Sequence, residues 1–175
     1  MSKVDATELV SGDVWLTRIA RFRVEVWRAY GILADGCYED GLCLEPQDQD
    51  AIHIVLQAEG RLCGAVRYND YPRLEACPLA SSYQAAGIVL DGPIAVPERL
   101  VVAPEFAGLD IWAALSDRLL QIGQQRQARY MISECSEPIA RAVKKRGRRS
   151  LGMAPVDPRF PGSRFEWMLT DFTAL

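Results

Sequence analysis

Histidine is the scarcest functional residue type in this chain: one, His53, in 175 residues. A single imidazole excludes sites built on paired histidines and leaves any zinc cluster to the cysteines. The five cysteines, Cys37, Cys43, Cys63, Cys77 and Cys135, are odd in number and contain no Cys-x-x-Cys pair. No metal site and no complete disulfide framework is therefore expected, and reduced thiols in a cytoplasmic protein are the plain reading. No apolar run is long enough to span a bilayer, and no signal-peptide pattern, repeat or low-complexity tract is visible, so no membrane association is expected.

What remains is ordinary for one globular domain over residues 1–175: 49 % hydrophobic and 25 % charged residues, with 13 glycines and 10 prolines. A chain of this length can bury a full core without staples. Its net charge of −3 is unevenly spread. Arg141, Lys144, Lys145, Arg146, Arg148 and Arg149 crowd six cations into nine residues, and the remainder carries −9. One reading is a solvated helix C-terminus, where cations suit the dipole. The other is a docking patch for an acidic partner. Nucleic acid is not expected, because no aromatics interleave with the run.

The periodicity predicts a mixed α/β order. Trp15, Ile19, Phe22 and Val26 mark a first helix running to about Gly31, after the caps offered by Ser11-Gly12-Asp13. A polar loop follows over 35–50. Ile52–Leu56 and Leu62–Tyr68 read as a hairpin about the Glu59-Gly60 turn. A long connection over 69–92, with one helical turn near Ser82–Ala86, leads to a strand over Ile94–Val102. Ile111, Leu115, Leu119 and Ile122 then recur on one helical face to Gln125. Tyr130–Ser133 reads as a strand, Pro138–Arg146 as a helix and Phe165–Thr170 as a last strand. Helices are expected on both faces of a mixed, mostly antiparallel central sheet.

The join between the Ile94–Val102 strand and the next helix is the most informative segment. A glycine-bearing turn there aims backbone N–H groups at an anion or a polarised carbonyl. Arg99-Leu100-Val101-Val102-Ala103-Pro104 resembles the strand that precedes the acyl-donor loop of the GNAT superfamily of N-acyltransferases, Arg-Leu-x-Val-x-Pro. The family continues as Arg-Gly-x-Gly-Ile around the coenzyme A diphosphate. This chain keeps Gly108 and Ile111, but has Ala107 for the arginine and Asp110 for the second glycine. The resemblance implies a donor site over Leu100, Val101, Val102, Ala107, Gly108, Leu109, Asp110, Ile111 and Trp112, with its diphosphate grip degenerate. Acyl-coenzyme A or an acyl-phosphopantetheine would be a co-substrate; no tightly bound cofactor is expected.

Three further places resemble one branch, the acyl-homoserine-lactone synthases and N-acyl amino acid synthases. They are Arg23-Val24-Glu25-Val26-Trp27, the acidic loop Glu45-Pro46-Gln47-Asp48-Gln49-Asp50 leading into His53, and Gly64-Ala65-Val66-Arg67. Val96 stands where the branch carries a glutamate, and Val143 where many GNAT enzymes carry the tyrosine that protonates the leaving thiolate. The branch typically takes its acyl group from acyl carrier protein, which implies an acidic partner at Lys144, Lys145, Arg148 and Arg149. The acceptor would be an amino acid, a small amine or a peptide.

Amide formation needs a proton acceptor and a polarised carbonyl. Strand parity puts Glu98 on one face with Ile94, Val96, Leu100 and Val102, a lone carboxylate whose desolvation would make it a base, unless Pro97 introduces a bulge. Arg99 would face the other way and hold a substrate carboxylate or carbonyl with Arg67, or else pair with a loop carboxylate. Asp48 and Asp50 resemble the acidic pair that orders the amine substrate in the synthase branch; the alternative is loop capping and turn formation. His53 reads as structural, and Cys135 as packing, with a thiol role the less favoured alternative. The expected function is thus N-acyl transfer; a catalytically silent GNAT-like binding module is the alternative.

Overall fold

The computed structural model describes residues 7–107 and 110–174. The described residues form seven strands and four α-helices: β1 (Glu8–Val10), α1 (Asp13–Ala29), β2 (Ile52–Ala58), β3 (Arg61–Tyr71), α2 (Ala80–Ala85), β4 (Ile94–Val102), α3 (Ile111–Gln125), β5 (Tyr130–Ser136), α4 (Glu137–Lys145), β6 (Arg149–Met153) and β7 (Phe165–Asp171). The strand order is β1-β2-β3-β4-β5-β7-β6. β1–β2, β2–β3, β5–β7 and β6–β7 pair antiparallel, and β4 pairs β5 in parallel at Ile94–Tyr130 and Ala95–Met131. This is the mostly antiparallel mixed sheet expected from the sequence.

The chain divides into two compact units. The first comprises Met1–Asn69, Glu98–Leu120 and Pro158–Pro161; the second comprises Asp70–Pro97, Gln121–Asp157 and Gly162–Leu175. In the first, α1 buries Ile19, Phe22, Arg23, Val26 and Trp27 along one stripe. It closes with hydrogen bonds from Gly31 N to Arg28 O (2.9 Å) and Ile32 N to Trp27 O (3.1 Å), with Gly31 at φ +64°. That is the glycine-terminated helix end the sequence signalled. Glu59 and Gly60 both sit at positive φ (+52° and +76°), the two-residue turn whose twist matches a hairpin. In the second unit, Tyr83 meets Trp167 edge-on at 5.2 Å within a core that includes Leu74, Ile94, Ile132 and Leu169.

Two strands were not legible from periodicity. β1 is three residues long, and β6 begins at Arg149, inside the basic run. The run is therefore not simply a helix end. α4 stops at Lys145, Gly147 turns the chain at φ +83°, and Arg149 opens an edge strand. Lys144 pairs with Glu166 at 2.7 Å, Arg148 is half-buried, and Lys145, Arg146 and Arg149 are exposed.

Gly64 on β3 holds α3 close. A methyl group placed there would lie 2.6 Å from Ile111 Cγ2 and 3.0 Å from Leu115 Cδ1, both buried. Neither β-branched Ile111 nor the packed Leu115 has room to yield. Gly64→Ala is expected to cost about 1–3 kcal/mol, read as a lowered urea midpoint at unchanged slope. An unchanged midpoint would show that α3 is not packed against this position.

Candidate active site

The first unit buries charge at its centre, and one short turn organises it. Glu45, Pro46 and Asp48 form a capped 3-10 turn: Glu45 N donates to Asp48 Oδ2 at 2.8 Å, and the Glu45 side chain accepts from the backbone of Asp48. Proline after the cap presets the turn. Both acidic side chains thereby point inward, where arginines from three elements meet them.

Asp48 is 2 % exposed and lies between two arginines that are each 1 % exposed. Arg23 of α1 reaches its two oxygens at 2.9 and 3.0 Å and also donates to Cys43 O at 3.2 Å. Arg67 of β3 donates to Asp48 Oδ1 at 3.1 Å and, through Nη2, to Glu98 Oε2 at 2.8 Å, and its Nη1 forms an ion pair with Glu45 Oε2 at 2.8 Å. Arg99 grips Glu45 as a fork, Nε to Oε2 at 2.9 Å and Nη2 to Oε1 at 2.6 Å. Arg159 adds a fourth guanidinium, its Nη1 donating to Glu45 Oε1 and to Tyr38 OH, each at 2.9 Å.

Burial works against the charged form of Glu45, but hydrogen bonds and charge from Arg99, Arg67 and Arg159 outweigh it and hold its carboxyl well below the usual carboxylate range. Burial likewise opposes the Arg67 cation, and the charges of Glu98, Asp48 and Glu45 reverse that, raising its proton affinity. Tyr38 is pushed up to about 12, first by burial and then by its hydrogen bond with Cys43, so it is a neutral phenol. Burial also raises the Cys43 and Cys135 thiols. Cys135 is thereby a packed, neutral thiol, 3.5 Å from Ser133 Oγ.

The expected strand parity fails at Arg99. Its φ is +57°, a left-handed residue inside a strand, two positions after Pro97. A left-handed residue ends the simple alternation of faces. Glu98 and Arg99, sequence neighbours, therefore both join the Glu45–Arg67 network instead of facing apart. Glu98 is accordingly not a lone carboxylate on an apolar stripe; it is 18 % exposed and salt-bridged to Arg67. Arg99 pairs with a loop carboxylate, the alternative the sequence left open. Asp50 is exposed, two residues beyond the turn, and Asp48 and Glu45 occupy the positions at the network.

In the donor segment, Val101 and Ile111 are buried, Leu100, Val102 and Trp112 are half-buried, and Ala107 and Asp110 are exposed. Ala103 N donates to Cys63 O at 3.0 Å, anchoring the end of β4. Asp110 O accepts from Ala114 N at 2.9 Å, so Asp110 sits at the N-cap of α3. Gly108 and Leu109 lie outside the described residues. Val143 is 1 % exposed and serves as packing.

Glu45, Tyr38 and Arg159 join the site without having been expected there from the sequence. The acidic residue before Pro46, with Asp48 two positions after that proline, is a readable turn signal for Glu45. No local pattern points to Tyr38 or Arg159.

No protein-family profile matches the chain, and no curated protein sequence matches it. Solved structures do match. FeeM, an N-acyl amino acid synthase from uncultured soil microbes, superposes with a TM-score of 0.72 at 11 % identity, covering 98 % of this chain and 92 % of FeeM. The AHL (acyl-homoserine-lactone) synthase LasI gives 0.71 at 13 % identity, covering 98 % and 91 %. An agmatine N-acetyltransferase gives 0.65 at 13 % identity, covering 97 % and 100 %. The chain has the fold of GNAT N-acyltransferases; at these identities the likeness is one of fold.

His53 supplies a direct test of the buried network. Its Nε2 lies 2.9 Å from Asp48 O, a carbonyl that can only accept, so Nε2 carries the proton. Burial lowers its pKa, the Asp48 carbonyl opposes this, and the Arg23 and Arg67 charges lower it further. The folded value lies below the unfolded value of about 6.5. As pH falls through that value the unfolded chain takes up the proton first, so stability is full above about pH 6.5 and declines on acidification. Glu45, whose carboxyl is held low in the folded protein, adds its own loss only below about pH 4.3. The sole imidazole resonance should titrate below 6.5 in the folded protein, and His53→Gln should flatten the stability profile between pH 7 and 5. A midpoint at or above 6.5 would contradict a buried neutral ring.

Proposed function

We propose that this chain is an N-acyltransferase, moving an acyl group from a thioester to the amine of an amino acid, a small amine or a peptide. The observation that carries the reading is the convergence of Arg23, Arg67 and Arg99 on the Glu45–Asp48 turn. The fold is one that FeeM and LasI also adopt. Arg23 and Arg67 come from segments whose sequence resembles the synthase branch, and Arg99 from the strand that resembles the GNAT superfamily.

The amine lone pair attacks the thioester carbonyl and forms the C–N bond. The C–S bond then breaks, the thiolate leaves, and the amine loses a proton. Glu98 is the proposed acceptor of that proton: it stands next to the left-handed Arg99, partly open to solvent and held in place by Arg67. Arg99, held by the Glu45 fork, presents positive charge for a substrate carboxylate or carbonyl. The buried Val143 offers no proton for the thiolate, so water or another group must supply it.

The proposed donor is carrier-bound, with acyl-coenzyme A second. Asp110 puts a carboxylate at the positive end of α3, where a diphosphate would otherwise be favoured, and Ala107 supplies no guanidinium. The same observation favours the second reading, a silent binding module. Lys145 and Arg149, exposed beside the half-buried Arg148, would steer an acidic carrier.

Incubation with acyl-carrier and acyl-coenzyme A thioesters and a panel of amines, followed by mass spectrometry and thiol titration, decides between the two readings. Glu98→Gln should fold and slow amide formation roughly 100-fold. Retained activity in that variant would move the base to solvent or elsewhere in the network. No amide with any pair would favour the binding module.

Free coenzyme A should bind more weakly than about a micromolar, and Asp110→Gly should strengthen it by up to about 1 kcal/mol. Reversing Lys145 and Arg149 to glutamate should slow carrier association and flatten its salt dependence at unchanged stability. Equal salt slopes would leave the basic run with a solvating role alone.

A further inference from the structure

We infer that Arg159 is a positioning residue for Arg99, acting through Glu45; this rests on the reading of the Glu45 network as an acyl-transfer site. Arg159 lies in Pro158–Pro161, a four-residue strap between β6 and β7 that belongs to the first unit although its neighbours in sequence belong to the second. Prolines bracket the strap and restrict its backbone. Contacts on both its non-proline residues seat it. Arg159 O accepts from Ala34 N at 2.8 Å. Phe160 is 4 % exposed and meets Trp27 of α1 edge-on at 5.0 Å. Arg159 Nη1 then donates to Tyr38 OH and Glu45 Oε1.

Glu45 is the hub of this arrangement. Its Oε2 receives Arg99 Nε and lies 2.8 Å from Arg67 Nη1 as an ion pair, and its Oε1 receives Arg99 Nη2 and Arg159 Nη1. Three guanidiniums therefore engage the two oxygens, Arg99 and Arg159 by hydrogen bonds and Arg67 as an ion pair, and the Asp48 backbone donates as well. Engaged from several sides, the carboxylate plane is restrained, and the Arg99 fork is held with it. Removing the Arg159 donor frees one direction on Oε1, and the carboxylate and fork can turn together. Arg99 needs such a brace because its own backbone, at φ +57°, is in a conformation that non-glycine residues disfavour.

The contact geometry also says which replacement should work. A single nitrogen of Arg159 makes both the Tyr38 and the Glu45 contacts. A lysine ammonium, one nitrogen with three N–H donors, can reproduce that pair. Glutamine also has two N–H donors on one nitrogen, but it is uncharged and two bonds shorter than arginine, so it does not reach the pair.

The test compares wild type, Arg159→Gln and Arg159→Lys by two readouts. The first needs no substrate: the exchange rate of the Arg99 Nε–H, observed by 15N NMR and assigned with Arg99→Lys. Arg159→Gln should speed that exchange about tenfold or more, and Arg159→Lys should keep it near wild type. The second is turnover. Arg159→Gln should lower kcat roughly 10- to 100-fold with the acceptor KM within about threefold, and Arg159→Lys should restore most of the rate. If Arg159→Gln does not fold, Phe160→Leu loosens the strap at its anchor and should change both readouts in the same direction.

Unchanged Arg99 exchange in a folded Arg159→Gln would overturn the inference. So would a rise in KM at constant kcat, which would mean direct substrate contact, or a lysine variant no better than glutamine. Absence of acyl transfer in the wild-type protein would overturn the functional reading and with it the catalytic part of the inference. The exchange measurement would still decide whether Arg159 braces Arg99.

Discussion

A carboxylate buried between two buried guanidiniums, Asp48 with Arg23 and Arg67, is the contact on which the first unit is built. Taking such ions out of water costs several kcal/mol each, and only close, multiply bonded geometry offsets it. Breaking one partner typically costs 3–5 kcal/mol because the others are left uncompensated. That penalty ties α1, the Glu45–Asp48 turn and β3 to one arrangement. A hydrophobic replacement of similar volume could match the stability, but it could not present Glu45 and Arg99 in a fixed orientation at the partly open side of the cluster.

The left-handed backbone of Arg99 in β4 has the complementary effect. A regular strand would send Glu98 and Arg99 to opposite faces, one into each layer. The left-handed backbone at Arg99 brings both into one ionic network. Backbone strain of this kind persists only where surrounding contacts over-determine it, and here the Glu45 fork and the Arg67–Glu98 bridge supply those contacts. The most informative departure from regular structure thus lies where the chemistry is proposed.

The donor segment departs in another direction. Ala107 and Asp110 remove one cation and add one anion at the tip of α3, while the packing beneath them, Ile111 on Gly64, is tight. Scaffold and anion grip have separate physical causes, interior packing for one and a few surface charges for the other. One can therefore stay sound while the other weakens, and the proposal of a carrier-bound donor rests on those surface charges.

The sequence by itself determined most of the element list. α1, the hairpin, β4, α3, β5, α4 and β7 each carry a local signal, an apolar period, a cap or a turn pair, and local signals are readable one segment at a time. It also supplied the arginines at 23, 67 and 99, because each sits in a short motif with family spacing. Three-residue β1 and the interrupted edge strand β6 lack enough residues to show a period. Only the tertiary structure decided that Glu45 and Asp48, rather than Asp50, serve the network, that Glu98 and Arg99 share it, and that Arg159, 114 positions from Glu45, completes it. Those outcomes depend on one left-handed residue and on contacts between distant segments, and neither leaves a periodic trace in the chain.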